Sequence, residues 1–179
     1  MFNISDIYTK SPKEFKTALQ EKAYQALEAL KIPFERVDTD EAITMEDCIQ
    51  IDNKLEMKMV KTLFLCNRQQ TAFFLFITTG DKSFRSKDFS NALKVSRVSF
   101  APAELMLEML GTKVGAATVF SVILDVERDI QVVFDKEVTE EKWYGCSDGT
   151  TTGYMKIETA QILNSFLPYT KHKPIIIEV

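Results

Sequence analysis

The chain is poor in the residues that most catalytic devices rely on. Its 179 residues include a single histidine, His172. A metal site built from several imidazoles is therefore excluded, and Cys48, Cys66 and Cys146 lack the paired spacing of a thiolate zinc site. No metal and no cofactor is expected. A Ser-His-Asp or Cys-His device would have to use His172, which sits in Lys-His-Lys-Pro, where a surface loop is the expected setting. No apolar run approaches the roughly 18 residues of a membrane span, so no membrane contact is expected. The opening Met1–Lys10 lacks a basic region followed by an apolar stretch, and an odd number of scattered cysteines reads as free thiols. The expected location is the cytoplasm.

A strong basic excess is also missing. The formal charge is −4, which argues against a general nucleic-acid coat. The local distribution differs, however. Lys82, Arg85, Lys87, Lys94 and Arg97 face only Asp88 in their stretch, and Lys54, Lys58, Lys61 and Arg68 face only Glu56 in theirs. These are either ordinary solvated faces or a limited phosphate-contacting surface.

What remains is ordinary globular material. Hydrophobic residues make up 45% and charged residues 27%, enough apolar content to bury a core in a chain of this length. Glycine (6) and proline (5) are scarce, which favours regular elements with short connections. Ser11-Pro12-Lys13-Glu14 predicts a helix start, followed by an apolar stripe from Phe15 to Leu30 and ended by Pro33. Residues 33–38 predict a short strand and Thr44 the cap of a helix reaching about Asn53. Residues 59–66 and 71–80 predict a β-hairpin. Beyond it come a helix (86–94), a strand (95–100), a helix (102–110) and two strands (118–126 and 129–135). Residues 138–146 read as irregular. A strand (154–157), a helix (159–167) and a last strand (174–179) complete the pattern. Strands and helices mix without regular βαβ alternation, so the expected class is α+β (mixed α/β), one domain over residues 1–179 with a mixed sheet flanked by helices.

Lys61 interrupts an otherwise apolar strand. An ammonium there needs a partner or a water-filled pocket, unless it snorkels from a strand edge to solvent. Gly115 is followed by Ala116 and Ala117, small residues that suit either a plain turn or close approach of a ligand to the backbone. Arg97 is a solvent-facing strand residue or a phosphate contact.

Seven segments in order carry a resemblance. They are IPFERVD at 32–38, TMEDC at 44–48, KTLFLCNRQQT at 61–71, GDKSFRSKDFS at 80–90, SRVSFAPAE at 96–104, LGTKVGAATVF at 110–120 and YGCSDGTTTGYMKI at 144–157. Together they resemble the YbaK-like prolyl-tRNA editing family, the free-standing bacterial domains that act on tRNA for proline. The resemblance implies hydrolysis of the ester joining a wrong amino acid, alanine by default, to the tRNA 3′ end, without metal or covalent intermediate. It implies tRNA as partner, with prolyl-tRNA synthetase as a further one. Lys61 matches the lysine that organises the family's site, and Gly115 the glycine of its substrate loop. The candidate substrate-contacting positions, from these residue readings and the resemblance together, are Thr44, Thr62, Arg97, Gly115, Ala116, Ala117, Ser147, Asp148, Thr151 and Thr152. The matched segments run nearly to the end of the sequence, so a domain without an attached synthetase body is expected.

The departures concern the pocket wall. Ser147 and Asp148 replace a His-Pro pair, Thr151 an asparagine, Thr62 the asparagine after the lysine, and Val119 the proline of the GxxxP loop. A histidine common before the helix at Thr44 is missing near Thr39. Asp148 would attract a substrate ammonium, pair with Lys61, or sit as a solvated turn residue in Ser-Asp-Gly. The alternative function is a member that has lost catalysis and retains tRNA or synthetase binding.

Overall fold

The computed structural model describes residues 1–179. Helix α1 (Ala18–Ala29) begins at Thr17, whose hydroxyl accepts the Gln20 backbone amide at 3.0 Å, while the Gln20 side-chain Oε1 accepts the Lys16 backbone amide at 2.7 Å. This second capping pair displaces the start expected at Ser11, whose hydroxyl instead donates to Glu28 at 2.6 Å. Strand β1 (Glu35–Asp38) leads to α2 (Met45–Leu55), where Thr44 and Asp47 form a reciprocal capping box that fixes the helix start where the sequence put it.

Strands β2 (Val60–Asn67) and β3 (Phe73–Thr79) form the expected antiparallel hairpin, with Lys61 opposite Thr78. Then follow α3 (Ser86–Leu93), β4 (Val98–Phe100) and α4 (Ala103–Leu105), the last prolonged by a π-helical turn at Met106–Leu110. Strand β5 (Ile130–Asp135) and the short α5 (Lys136–Glu140) precede β6 (Trp143–Ser147) and β7 (Gly153–Glu158). Helices α6 (Thr159–Gln161) and α7 (Leu167–Tyr169), joined through a π turn, and β8 (Ile175–Ile177) end the chain.

The strands form two sheets. One is mixed, in the order β4-β2-β3-β5-β8, and the other is antiparallel, in the order β1-β7-β6. A single bridge between Met59 and Gly145 links them. They share one interior, since Phe64, Leu75 and Phe134 of the first sheet pack in the same cluster as Tyr144, Met155 and Ile157 of the second and Leu27 of α1. The opposite face of the larger sheet packs Leu65, Phe76 and Val133 against Phe89 of α3. The fold is mixed α/β, and the expected single sheet is corrected to two.

Two segments depart from the sequence reading. Residues 118–126, expected as a strand, hold a 3₁₀ helix at Val119–Leu124. The β-branched residues favour a strand locally, but β5 already has β3 and β8 as neighbours, so no sheet edge is open beside it. Residues 138–146, expected to be irregular, contain the end of α5 and most of β6, because Asp135 caps the helix and β7 supplies the partner strand. His172 is also corrected: it is buried, not on a surface loop, and its Nε2 lies 2.8 Å from Asp125 Oδ2 while Nδ1 meets the Thr170 carbonyl at 2.9 Å. It ties the final loop to the turn before β5.

Candidate functional site

The site grows out of a pairing gap. Strand β4 is too short to cover β2, and it reaches only Leu65, Cys66 and Asn67, with one further bond from the Ala101 amide to the Phe64 carbonyl at 2.9 Å. At the other end, Gly145 of β6 reaches Met59. Between these attachments the edge of β2 is open. Peptide groups alternate in direction along an antiparallel strand, so the amide and carbonyl of Thr62 point the same way as those of Phe64, away from β3 and into the gap. A cleft of about 1040 Å³ lies along this edge, lined from both sheets. That is ample for the end of a large ligand.

Lys61 and Thr62 project to opposite faces of β2, yet both border the cleft because it runs round the open edge. The Lys61 ammonium donates to the Lys82 carbonyl at 2.6 Å. No carboxylate lies within salt-bridge distance of it, and two of its three protons remain available. Lys82 is different. Burial alone would lower its pKa, but hydrogen bonds and charge from Asp135 at 2.7 Å and Glu137 at 2.9 Å hold it above the usual lysine range. It is spent on the fold and is not a phosphate contact.

Across the cleft lies the loop of Val114, Gly115 and Ala117. Gly115 has φ +92°, a conformation that side-chain-bearing residues rarely adopt, and no protein atom would meet a Cβ there. The demand for glycine comes from the turn itself, not from crowding by the protein. The Ala116 amide bonds to the Lys113 carbonyl at 3.1 Å, whereas the amides of Gly115 and Ala117 donate to no protein group. Ser147 borders the same space, with its hydroxyl donating to the Ala116 carbonyl at 3.2 Å and accepting the Gly149 amide at 3.3 Å. Helix α2 closes the remaining side. Ile51 and Leu55 are buried on one face, and Met45, Ile49 and Asp52 look onto the cleft from the other.

Of the eleven candidate positions, Lys61, Thr62, Gly115, Ala117 and Ser147 come together on the cleft, and six do not. Thr44 caps α2. Ala116 is buried beneath its own loop, and Arg97 is exposed just before β4. Thr151 accepts the Ala42 amide on its carbonyl, and Thr152 receives the Lys16 ammonium. Asp148 is fully buried and neither meets solvent nor pairs with Lys61. Its carboxylate accepts from Gln20 Nε2 at 2.8 Å, the Tyr24 hydroxyl at 3.0 Å and the Thr150 hydroxyl at 2.7 Å. It fastens α1 to the turn between β6 and β7. Burial, followed by the charge of Asp148, pushes the Tyr24 hydroxyl far above its usual range.

Three cleft groups were missed by the sequence reading. Cys48 and Cys146 line the cleft, and burial pushes both thiols upward, with Asp52 and Asp47 adding to the effect at Cys48 and Asp148 at Cys146. Neither is poised to be a thiolate nucleophile. Asp52 is the third. Burial pushes its carboxyl up to about 6 against the opposing hydrogen bond from the Met59 amide at 3.1 Å. The available signal was a carboxylate placed four and three residues along a face otherwise formed by Met45 and Ile49.

Comparison with known proteins agrees with this architecture. The family model for the aminoacyl-tRNA editing domain matches residues 39–164, which include every cleft element named above. The chain is 27% identical over 161 residues to prolyl-tRNA synthetase associated domain-containing protein 1 of Danio rerio, covering 89% of this chain and 86% of that one. It is 28% identical over 112 residues to the prolyl-tRNA editing protein ProX of Acetoanaerobium sticklandii, covering 63% of this chain and 68% of the relative. The crystal structure of a candidate trans-editing enzyme for prolyl tRNA synthetase superposes with a TM-score of 0.62 at 13% identity, over 92% of this chain and 99% of that one, and shows the same fold. No helix is long and apolar enough to cross a membrane. With its matched segment covering most of the sequence, the chain belongs to the aminoacyl-tRNA editing domain family.

Proposed function

We propose that the cleft hydrolyses, in trans, the ester between a wrongly attached amino acid and tRNA for proline, with alanine as the amino acid removed. The observation that carries this reading is the meeting of the Lys61 ammonium, the open β2 edge at Thr62 and the unpaired amides of Gly115 and Ala117 on one cleft. The oxygen of a water attacks the ester carbonyl carbon. The oxyanion that develops is met by the amides of Gly115 and Ala117, donors that need no reorganisation as charge appears. The bond to the ribose oxygen then breaks, the water's proton passes to that oxygen, and free amino acid and tRNA leave. Lys61 serves as a fixed cation for the carbonyl or for the terminal ribose and phosphate. No thiolate takes part, and His172 is committed to Asp125 outside the cleft.

The RNA body is assigned to the face beside the cleft mouth. Arg85, Lys87, Lys94 and Arg97 are exposed and free of acidic partners, and Phe100, with 60% of its surface exposed, lines the cleft and packs on Phe84, the neighbour of Arg85. This arrangement suits phosphate contacts beside an unpaired 3′ end. Prolyl-tRNA synthetase is the further partner proposed, and the cytoplasm the location, in keeping with three free thiols. Size underlies selectivity, because one missing methylene shifts binding by only about 1–3 kcal/mol and a tight second site catches what the synthetase admits. The test is a panel of alanyl, seryl, cysteinyl and prolyl esters of tRNA for proline. The alanyl ester is expected to be hydrolysed fastest. Hydrolysis of none, with salt-sensitive tRNA binding retained, would establish the binding-module alternative instead.

A further inference from the structure

Asp52 carries a negative charge in the cleft that nothing in the protein balances. One oxygen of its carboxylate accepts the Met59 amide at 3.1 Å, which leaves the other for a partner. Two lysines border the same cleft, and both are directed elsewhere. Lys58 pairs with Glu141 at 3.4 Å, and Lys61 bonds to the Lys82 carbonyl at 2.6 Å. No cation reaches Asp52. The other titratable groups around it are Cys48 and Asp47 on its own helix, Tyr154 on β7, Asp81 just after β3, and Glu137 and Glu140 of α5 with Glu141 after it, and none of them is positive. A carboxylate half removed from water among Met45, Ile49 and Met59 is held at a cost that an incoming ammonium would offset.

Resting on the deacylase reading, we propose that Asp52 is the anchoring site for the free α-ammonium of the aminoacyl group. Asp148, the other carboxylate suited by sequence to an ammonium, is spent on α1 through Gln20 and Tyr24. The consequence for substrate class is direct: the cleft takes esters whose amino group is free and charged, and it discriminates against N-acylated esters such as those carrying a peptide. Burial raises the Asp52 pKa to about 6, and a paired ammonium, which favours the charged carboxylate, lowers it again.

The test separates binding from turnover. The probe is 3′-amino-3′-deoxyadenosine acylated on its 3′ nitrogen with alanine, an amide in place of the hydrolysable ester, alongside its N-acetylalanyl form. Affinity is measured by calorimetry for the wild type and for Asp52→Asn, which keeps the acceptor for the Met59 amide and is checked for folding by circular dichroism. N-acetylation is expected to weaken wild-type binding about tenfold or more, and Asp52→Asn to weaken the free-amine probe similarly while leaving the N-acetyl probe unchanged. In carbon-13 spectra, the Asp52 carboxyl should titrate at lower pH with the free-amine probe only. Equal wild-type affinity for both probes, undiminished affinity in Asp52→Asn, or no binding of either probe would overturn the proposal. If the deacylase reading alone fails, the probes bind as predicted and alanyl-tRNA is left intact.

Discussion

Replacing Asp148 by alanine distinguishes a pocket residue from a structural one. The fully buried carboxylate accepts from three side chains, Gln20, Tyr24 and Thr150, and from the Thr150 amide at 3.2 Å. Alanine leaves those donors buried without an acceptor. Each orphaned group costs about 1–3 kcal/mol, and because the donors are neighbours the costs overlap, so a total of about 3–6 kcal/mol is expected. That is a large share of the roughly 5–15 kcal/mol that holds a domain folded. Asparagine keeps one acceptor oxygen but turns an amide donor toward other donors, and is expected to cost about half as much. Urea denaturation followed by circular dichroism measures both, with activity assayed in the remaining folded fraction. An alanine variant as stable as the wild type but inactive would refute this account and return Asp148 to the site.

Four further outcomes follow from the same structure. Gly153→Ala drives a Cβ into the Asp148 carboxylate and should destabilise by about 1–3 kcal/mol, and a wild-type urea midpoint would contradict that packing. The Asp52 carboxyl is raised from 3.8 to about 6 on folding, so its charge penalises the native state once pH rises through that window and leaves stability untouched below about pH 4. Asp52→Asn should therefore stabilise the protein by about 1–2 kcal/mol above pH 7, after allowing for partial exposure, and by nothing near pH 4; urea midpoints equal across pH would refute it. Reversing Arg85, Lys87 and Arg97 to glutamate should weaken tRNA binding and flatten its salt dependence by about three units of slope, whereas an unchanged slope in filter binding places the RNA elsewhere. Cysteine-directed alkylation under native conditions should leave deacylation intact at early times, and inactivation in step with modification would implicate a thiol.

Much of the fold is legible because local signals and tertiary demand agree. The Thr44–Asp47 capping box and the hairpin around Asn67 appear where the residue pattern places them. The signal fails where tertiary context decides. Val119–Leu124 has strand composition but no free place beside β5, whose two neighbours are β3 and β8, and Ser11-Pro12 loses its helix start to Thr17 and Gln20. At the site, Lys61, Thr62, Gly115, Ala117 and Ser147 were nameable from the order of the segments, and all five reach the cleft. The inward turn of Asp148 was not, because Ser-Asp-Gly reads as an exposed turn until α1 is seen to bring Gln20 and Tyr24 against it. The pairing gap beside Thr62 was equally hidden, since it depends on how short β4 is relative to β2.

Single-turnover deacylation of alanyl-tRNA for proline, comparing the wild type with Lys61→Ala, decides whether a lysine-centred cleft hydrolyses a mischarged tRNA. Lys61 is partly buried with one hydrogen bond to the Lys82 carbonyl, so alanine should leave the fold nearly intact. Hydrolysis well above the spontaneous rate is expected for the wild type, with a loss on the order of 10²-fold or more in the variant. A Lys61→Ala protein that remains folded and deacylates at the wild-type rate would contradict it.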